Sequence, residues 1–376
     1  MDSAVLRTAA VAVVFSSGFV RVEHCLAAPY AAQIVESNSA AGQDSVNADD
    51  TLPGHKFDRI FEEGFDCTRI LTPATNLVSY IATLPTGYNI VCLKPGTYVL
   101  SSRLVIPSNT VIQGMAQGPN RSSTLFLAAG VDTEAIAIIG KQDISLRHLK
   151  LDGNGVNQAN NSNLVGISIA QSHAISISDL EIAHTSKMGI AASQVAYLDI
   201  HGSLIDTMDE ADSPAAVGAI WISNNSQFAW IGDNYIIGRN NGPGGDGGID
   251  CYGTDEITIY RNTLADTGKS SIYTGSPGCT NMSIWGNDIH NSNEFAVDIT
   301  LGANHVYVGG NLIDRTALAA MVFWQADNVT VEYNSMLNGH AFPPSVPCKS
   351  IVVDTVPSIS INNTNHVDSG PLYCFR

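Results

Sequence analysis

Between positions 250 and 298 the chain places four side chains able to move protons: Asp250, Lys269, Tyr273 and Asp298. Two carboxylates can divide general-acid and general-base work, while a phenol or an amine can take a proton from a weakly acidic carbon. Glu294 and His290 add ionisable groups just ahead of Asp298, and Lys187 and His184 hold comparable places further upstream. Arg239 and Arg261 are cations able to neutralise a carboxylate on a ligand. Asp246, Asp250 and Glu294 are hard oxygen donors from separate segments, a set that suits calcium. A single such charge is ordinarily a solvated surface group; their concentration over 240–300 marks this region out.

Other chemistries lack their parts. No H-E-x-x-H metal motif or G-x-S-x-G nucleophile elbow is present, and Asp209-Glu210-Ala211-Asp212 lacks the calcium-loop pattern. The glycine-rich stretch Gly242-Pro243-Gly244-Gly245-Asp246-Gly247-Gly248 has no G-K-[ST] ending and enters a strand, so no helix dipole would face a phosphate.

The elements that must position these side chains form a repeat. Alternating segments end in an asparagine again and again, as in Ile257-Thr258-Ile259-Tyr260-Arg261-Asn262 and Val306-Tyr307-Val308-Gly309-Gly310-Asn311. The asparagines fall at Asn234, Asn262, Asn287, Asn311 and Asn334. A period in the twenties with no helical pattern inside it predicts a parallel β-solenoid over 104–340, whose coils bury their apolar faces only against one another. Stacked at one corner, the amides could bond coil to coil while tolerating a left-handed turn. Taking Ile167, Ile190, Ile220, Ile249, Ile272, Val297 and Val322 as inward-facing, strand alternation sends the next residue of each coil outward. The outward column is then Ser168, Ala191, Trp221, Asp250, Tyr273, Asp298 and Phe323. Coils about 4.8 Å apart would set Asp250 and Asp298 roughly 9 to 10 Å apart, with Tyr273 between them.

Composition agrees with a strand-rich chain. The 376 residues are 44% hydrophobic and 14% charged with 33 glycines, which excludes a disordered chain and fits neither a coiled coil nor a helical bundle. A formal net charge of −17 has the wrong sign for nucleic acid. The run Thr8 to Val20 is too short for a membrane span and, ahead of Leu26-Ala27-Ala28, reads as an export signal over 1–27. An acidic flexible leader over 28–65 and a cap over 66–103 with a helical segment at 76–82 should follow, with a clip over 341–376 closing the chain. Without Cys25 six cysteines remain, in three sequence-local couples. Fifteen pairings exist, of which Cys67–Cys92, Cys251–Cys279 and Cys348–Cys374 are preferred, as expected of a secreted or periplasmic protein. A monomer is expected.

The ladder, the segment Leu93-Lys94-Pro95-Gly96-Thr97-Tyr98 with Val105-Ile106-Pro107-Ser108-Asn109-Thr110, and Leu151-Asp152-Gly153-Asn154-Gly155 resemble the pectate-lyase-like right-handed β-helix superfamily over roughly residues 67–340. That resemblance implies a substrate lying along the outer face of the first strand of each coil. It does not choose a chemistry, because the superfamily spans lyases, inverting glycosidases, epimerases, esterases and tailspikes. The paired aspartates of its pectin hydrolases are replaced by Lys269-Ser270, and the D-P-H motif of alginate epimerases has no match. Three readings follow for an extracellular polysaccharide. The first is a lyase, in which Tyr273 or Lys269 removes a proton beside a uronic carboxylate held by Arg239, Arg261 or calcium. The second is an inverting glycosidase using Asp250 and Asp298. The third is a non-catalytic binder or adhesin. Trp221 and Phe323 would bracket the sugar chain in each.

Overall fold

The computed structural model describes residues 67–375 except 116–121, 159–164, 186, 207–217, 239–246, 341–347 and 369, with the backbone of 11–16 and 19–24. The chain divides into two units, Met1–Glu62 and Glu63–Arg376. In the first, Val11–Ser16 pairs antiparallel with Phe19–His24. Those strands fall within the stretch expected as an export signal; the acidic leader lies outside the described residues.

The second unit is a right-handed parallel β-helix. Each coil contributes short strands to three faces, which the strand pairing joins into a 21-stranded and an 11-stranded sheet. Face one stacks Ile136, Ile167, Ile190, Ile220, Ile249, Ile272, Val297, Met321 and Ile351 in register, all buried. Face two does the same with Ile177, Ile200, Ile231, Ile259 and Ile284, and face three with Ile182, Ile205, Ile236, Leu264 and Ile289. β-branched side chains suit this interior because their single preferred rotamer packs onto the same residue one coil away. Burying each contributes roughly 1.5–3 kcal/mol. Parallel pairing begins at Arg69–Leu71 and continues to Tyr373–Phe375, so the stack is longer than 104–340 at both ends. The one α-helix among the described residues is Leu77–Ala82, N-capped by Asn76, whose Oδ1 accepts from the Ser79 N–H at 3.0 Å. Its Leu77 and Ile81 are buried in the core.

The asparagine ladder forms as expected. The backbone N–H and the Nδ2 of Asn262 both donate to Asn287 Oδ1 at 3.0 Å, and Nδ2 also donates to Ile231 O at 2.9 Å. Asn234, Asn287, Asn311 and Asn334 repeat the pattern, which Asn365 extends by one coil. All five are almost fully buried, and every amide there has partners, so the ladder leaves no desolvation penalty behind. All three cysteine pairs are bonded, with Cα separations of 5.7, 6.2 and 5.8 Å for Cys67–Cys92, Cys251–Cys279 and Cys348–Cys374.

Register corrects one expectation. Val297 pairs with Met321, so Val322 rather than Phe323 stands in the outward column. Phe323 points inward and is fully buried. Val322 lies in a second apolar cluster with Phe295, Ala319, Cys348 and Val352, built on the outside of face one.

Candidate functional site

Trp221, Asp250, Tyr273 and Asp298 stand in one register column on successive coils of face one. Both aspartates face outward, yet they are only 5% and 9% exposed. They share one pose. Asp250 Oδ2 accepts from the Gly218 N–H at 2.9 Å, and Asp298 Oδ2 from Ser270 Oγ at 3.3 Å. Gly218 and Ser270 each precede by three residues the register partner of the aspartate they hold, Trp221 and Tyr273. Because both carboxylates lean one coil the same way, their spacing stays near two coil rises, roughly 9.4–9.8 Å. Gly218 is required for this pose, since a Cβ there would stand 2.9 Å from the Asp250 carboxyl carbon.

The electrostatics separate the members of the column. Burial pushes the Asp298 carboxyl up to about 7, with the Glu294 charge adding to the rise and the Ser270 hydrogen bond opposing it. Among the described residues its buried Oδ1 has no hydrogen-bond partner, as suits a group that carries a proton. Burial also raises the Tyr273 phenol, and Asp298, Asp250 and Glu294 raise it further against a lowering hydrogen bond to Thr300. The charges of the described residues that act on Tyr273 are therefore all negative.

An aromatic surface runs beside the acids. Trp221 stacks on Tyr252 at 4.2 Å between centroids and 18° between planes, and Tyr252 meets Tyr273 edge-on at 5.9 Å. The Tyr252 ring lies over Gly275, where an added Cβ would collide with it. Burial raises the Tyr252 phenol strongly, ahead of Asp250, Tyr273 and Asp298. Tyr252 was not among the expected site residues, although it sits two positions beyond Asp250 and so faces the same way.

Several expected residues lie elsewhere. Arg261 is at the end of face two, bonded to Asp233 at 2.6 Å and 5.4 Å over the Tyr260 ring. His290 is on face three, 3.2 Å from Asp288. Proximity in sequence placed both near Tyr273, but each coil carries them round to another face. Lys269 is on the turn into Ser270, half-buried, and makes no ion pair among the described residues; no interaction links its amine to Tyr273 or Asp298. Glu294 does act on the column. Arg239 and Asp246 lie outside the described residues. Among the described residues no three His, Cys, Asp or Glu side chains gather as a metal shell; Asp246, the third of the expected calcium donors, is not among them.

No family model and no curated relative matches the sequence. Solved structures do. The endo-xylogalacturonan hydrolase from Aspergillus tubingensis aligns at TM-score 0.63 and 15% identity, covering 81% of this chain and 95% of that one. The Azotobacter vinelandii mannuronan C-5 epimerase AlgE4 A-module aligns at TM-score 0.53 and 15% identity, covering 80% and 94%. The Streptococcus pneumoniae surface adhesin PfbA aligns at TM-score 0.55 and 14% identity, covering 79% and 94%. Coil register, asparagine ladder and these alignments together give this chain a right-handed parallel β-helix fold.

Proposed function

We propose that the protein hydrolyses glycosidic bonds of an extracellular polysaccharide with inversion at the anomeric carbon. The observation that carries this reading is the pair of outward but buried aspartates in one pose, two coils apart, with Asp298 holding its proton to about pH 7. Asp298 gives that proton to the glycosidic oxygen as the C–O bond breaks and its electron pair passes to that oxygen. Asp250, an acceptor held by the Gly218 amide, takes a proton from the water attacking the opposite face of the sugar. The estimated separation lies at the upper edge of the roughly 6.5–9.5 Å that leaves room for such a water. Trp221, Tyr252 and Tyr273 supply the apolar surface for the sugar rings.

Elimination is less well supported. A phenolate base would have to form against burial and three acids, and no cation among the described residues acts on it. An acidic cleft in a chain of net charge −17 also favours a neutral glycan over a uronan. The fold neighbours named for a hydrolase and an epimerase fit carbohydrate chemistry, and three disulfides fit an oxidising compartment. No described helix is long and apolar enough to cross a membrane. The test is a panel of neutral and uronic polysaccharides, read for reducing ends, for absorbance of unsaturated products and, by NMR, for the first anomer released. New reducing ends of inverted configuration without unsaturation are expected. Unsaturated products would overturn hydrolysis in favour of a lyase.

A further inference from the structure

A groove of about 670 Å³ runs along the corner between faces one and two, lined among others by Lys141, Gln142, Gln171, His173, Gln194 and Asn225. It lies apart from the aspartates, although Asn225 shares a strand-and-corner segment with Trp221. Gln171 and Gln194 occupy equivalent corner positions, because Ala170 pairs with Ser193 and Ser172 with Val195. Asn225 holds the corner of the next coil. All three amides are exposed, and their side chains make no hydrogen bond among the described residues.

The residue types there are not what the backbone would choose. Gln171 and Gln194 have φ of 50° and 56°, the left-handed region that Gly, Asn and Asp enter more easily. The wall beyond continues with rings at the same cost. Tyr197 and Phe228 have φ of 57° and 55°, stack at 4.8 Å, and Tyr197 meets His173 at 5.0 Å. Over three successive coils a row of amides in the groove presents donors and acceptors to hydroxyl groups, while His173 at its edge and the Tyr197 and Phe228 rings just outside it offer apolar surface to C–H groups. The coil spacing, about 4.8 Å, is close to the advance of one sugar unit in an extended glycan.

We propose that this corner groove is a second glycan site, which holds a neutral polysaccharide chain along the solenoid axis independently of the chemistry at Asp250 and Asp298. No carboxylate is among its lining residues. The amides outnumber its one lysine, Lys141, which points to hydroxyl-rich rather than anionic chains.

The experiment is affinity electrophoresis of the full chain through gels carrying galactomannan, xyloglucan, mixed-linkage β-glucan or dextran, with alginate and polygalacturonate as anionic arms. The comparison is with Gln171→Ala/Gln194→Ala, His173→Ala and Asp298→Asn. At least one neutral polymer should retard the wild type and Asp298→Asn alike. The double glutamine variant should bind that polymer about ten-fold more weakly, with an unchanged melting temperature, because alanine at these corners is no more strained than glutamine. Retardation by the polyuronates alone, by no neutral polymer, or lost only in Asp298→Asn would overturn the proposal. Absence of hydrolysis with retardation intact would instead count against the cleft chemistry alone.

Discussion

Burial holds a proton on Asp298, and two predictions follow from it. Its folded-state pKa of about 7 exceeds its ordinary 3.8, so the native state binds the extra proton between those values and loses stability as pH rises through that window. Asp298→Asn removes the titration. Its melting temperature should overtake the wild type's as pH climbs from about 4 to 7, by an amount equivalent to at most roughly 4 kcal/mol. Parallel melting curves for the two proteins across that range would contradict the buried proton. In turnover, Asp298→Asn and Asp250→Asn should each lower kcat about 10²–10⁴-fold, and wild-type activity should fall above about pH 7 as the acid is lost. Tyr273→Phe, which keeps the ring, should cost less than about ten-fold under hydrolysis. A Tyr273→Phe defect as deep as the aspartate variants' would return the chemistry to elimination. Asp250, Tyr273 and Asp298 were legible because alternation along three strands with aliphatic inner positions fixes which side faces out. The places of His290 and Arg261 were not, because position in the chain says nothing about where a coil turns its corner.

At the scale of the repeated element, the ladder asparagines were readable from spacing alone, since only a stacked corner demands an amide at each return of the chain. Asn287→Ala should show what that demand is worth. It strips the acceptor from the Asn262 N–H and Nδ2 and the donor from Ile259 O and Asn311 Oδ1. With about 1–3 kcal/mol for each buried group left unpaired, a loss of 3 kcal/mol or more is expected in urea unfolding. Asn363→Ala, on the exposed surface, should stay within about 0.5 kcal/mol. Similar losses in the two would mean that the ladder amides are no better than solvated ones. The misplacement of Phe323 has a physical source as well. Met321-Val322-Phe323-Trp324 is apolar on both sides: outward, Val322 is buried in the cluster with Phe295, Ala319 and Cys348, while Trp324 is an exposed ring. Without a polar side the alternation carries no parity, and only the observed pairing decides it.

Across the whole molecule, acid outnumbers base by 35 to 18, so a neutral glycan and a polyuronate should respond differently to salt. Binding of the neutral polymer should be nearly flat between 0.01 and 0.15 M ionic strength, over which the screening length falls from about 30 to 8 Å. Polyuronate binding, if any, should strengthen as repulsion is screened; weakening of either with added salt would reveal a cationic surface at the site. A stack of coils also has only two places from which it can come apart, its termini, because every interior coil is gripped from both sides. Here Cys67–Cys92 ties the first strand, Arg69–Leu71, to the coil it pairs with, and Cys348–Cys374 ties the last strand, Tyr373–Phe375, to the one before it. Both zipper pulls are thus sewn down. Opening must start by tearing a hole in the middle of the fabric, which makes survival among proteases a matter of a slow rate rather than of equilibrium stability.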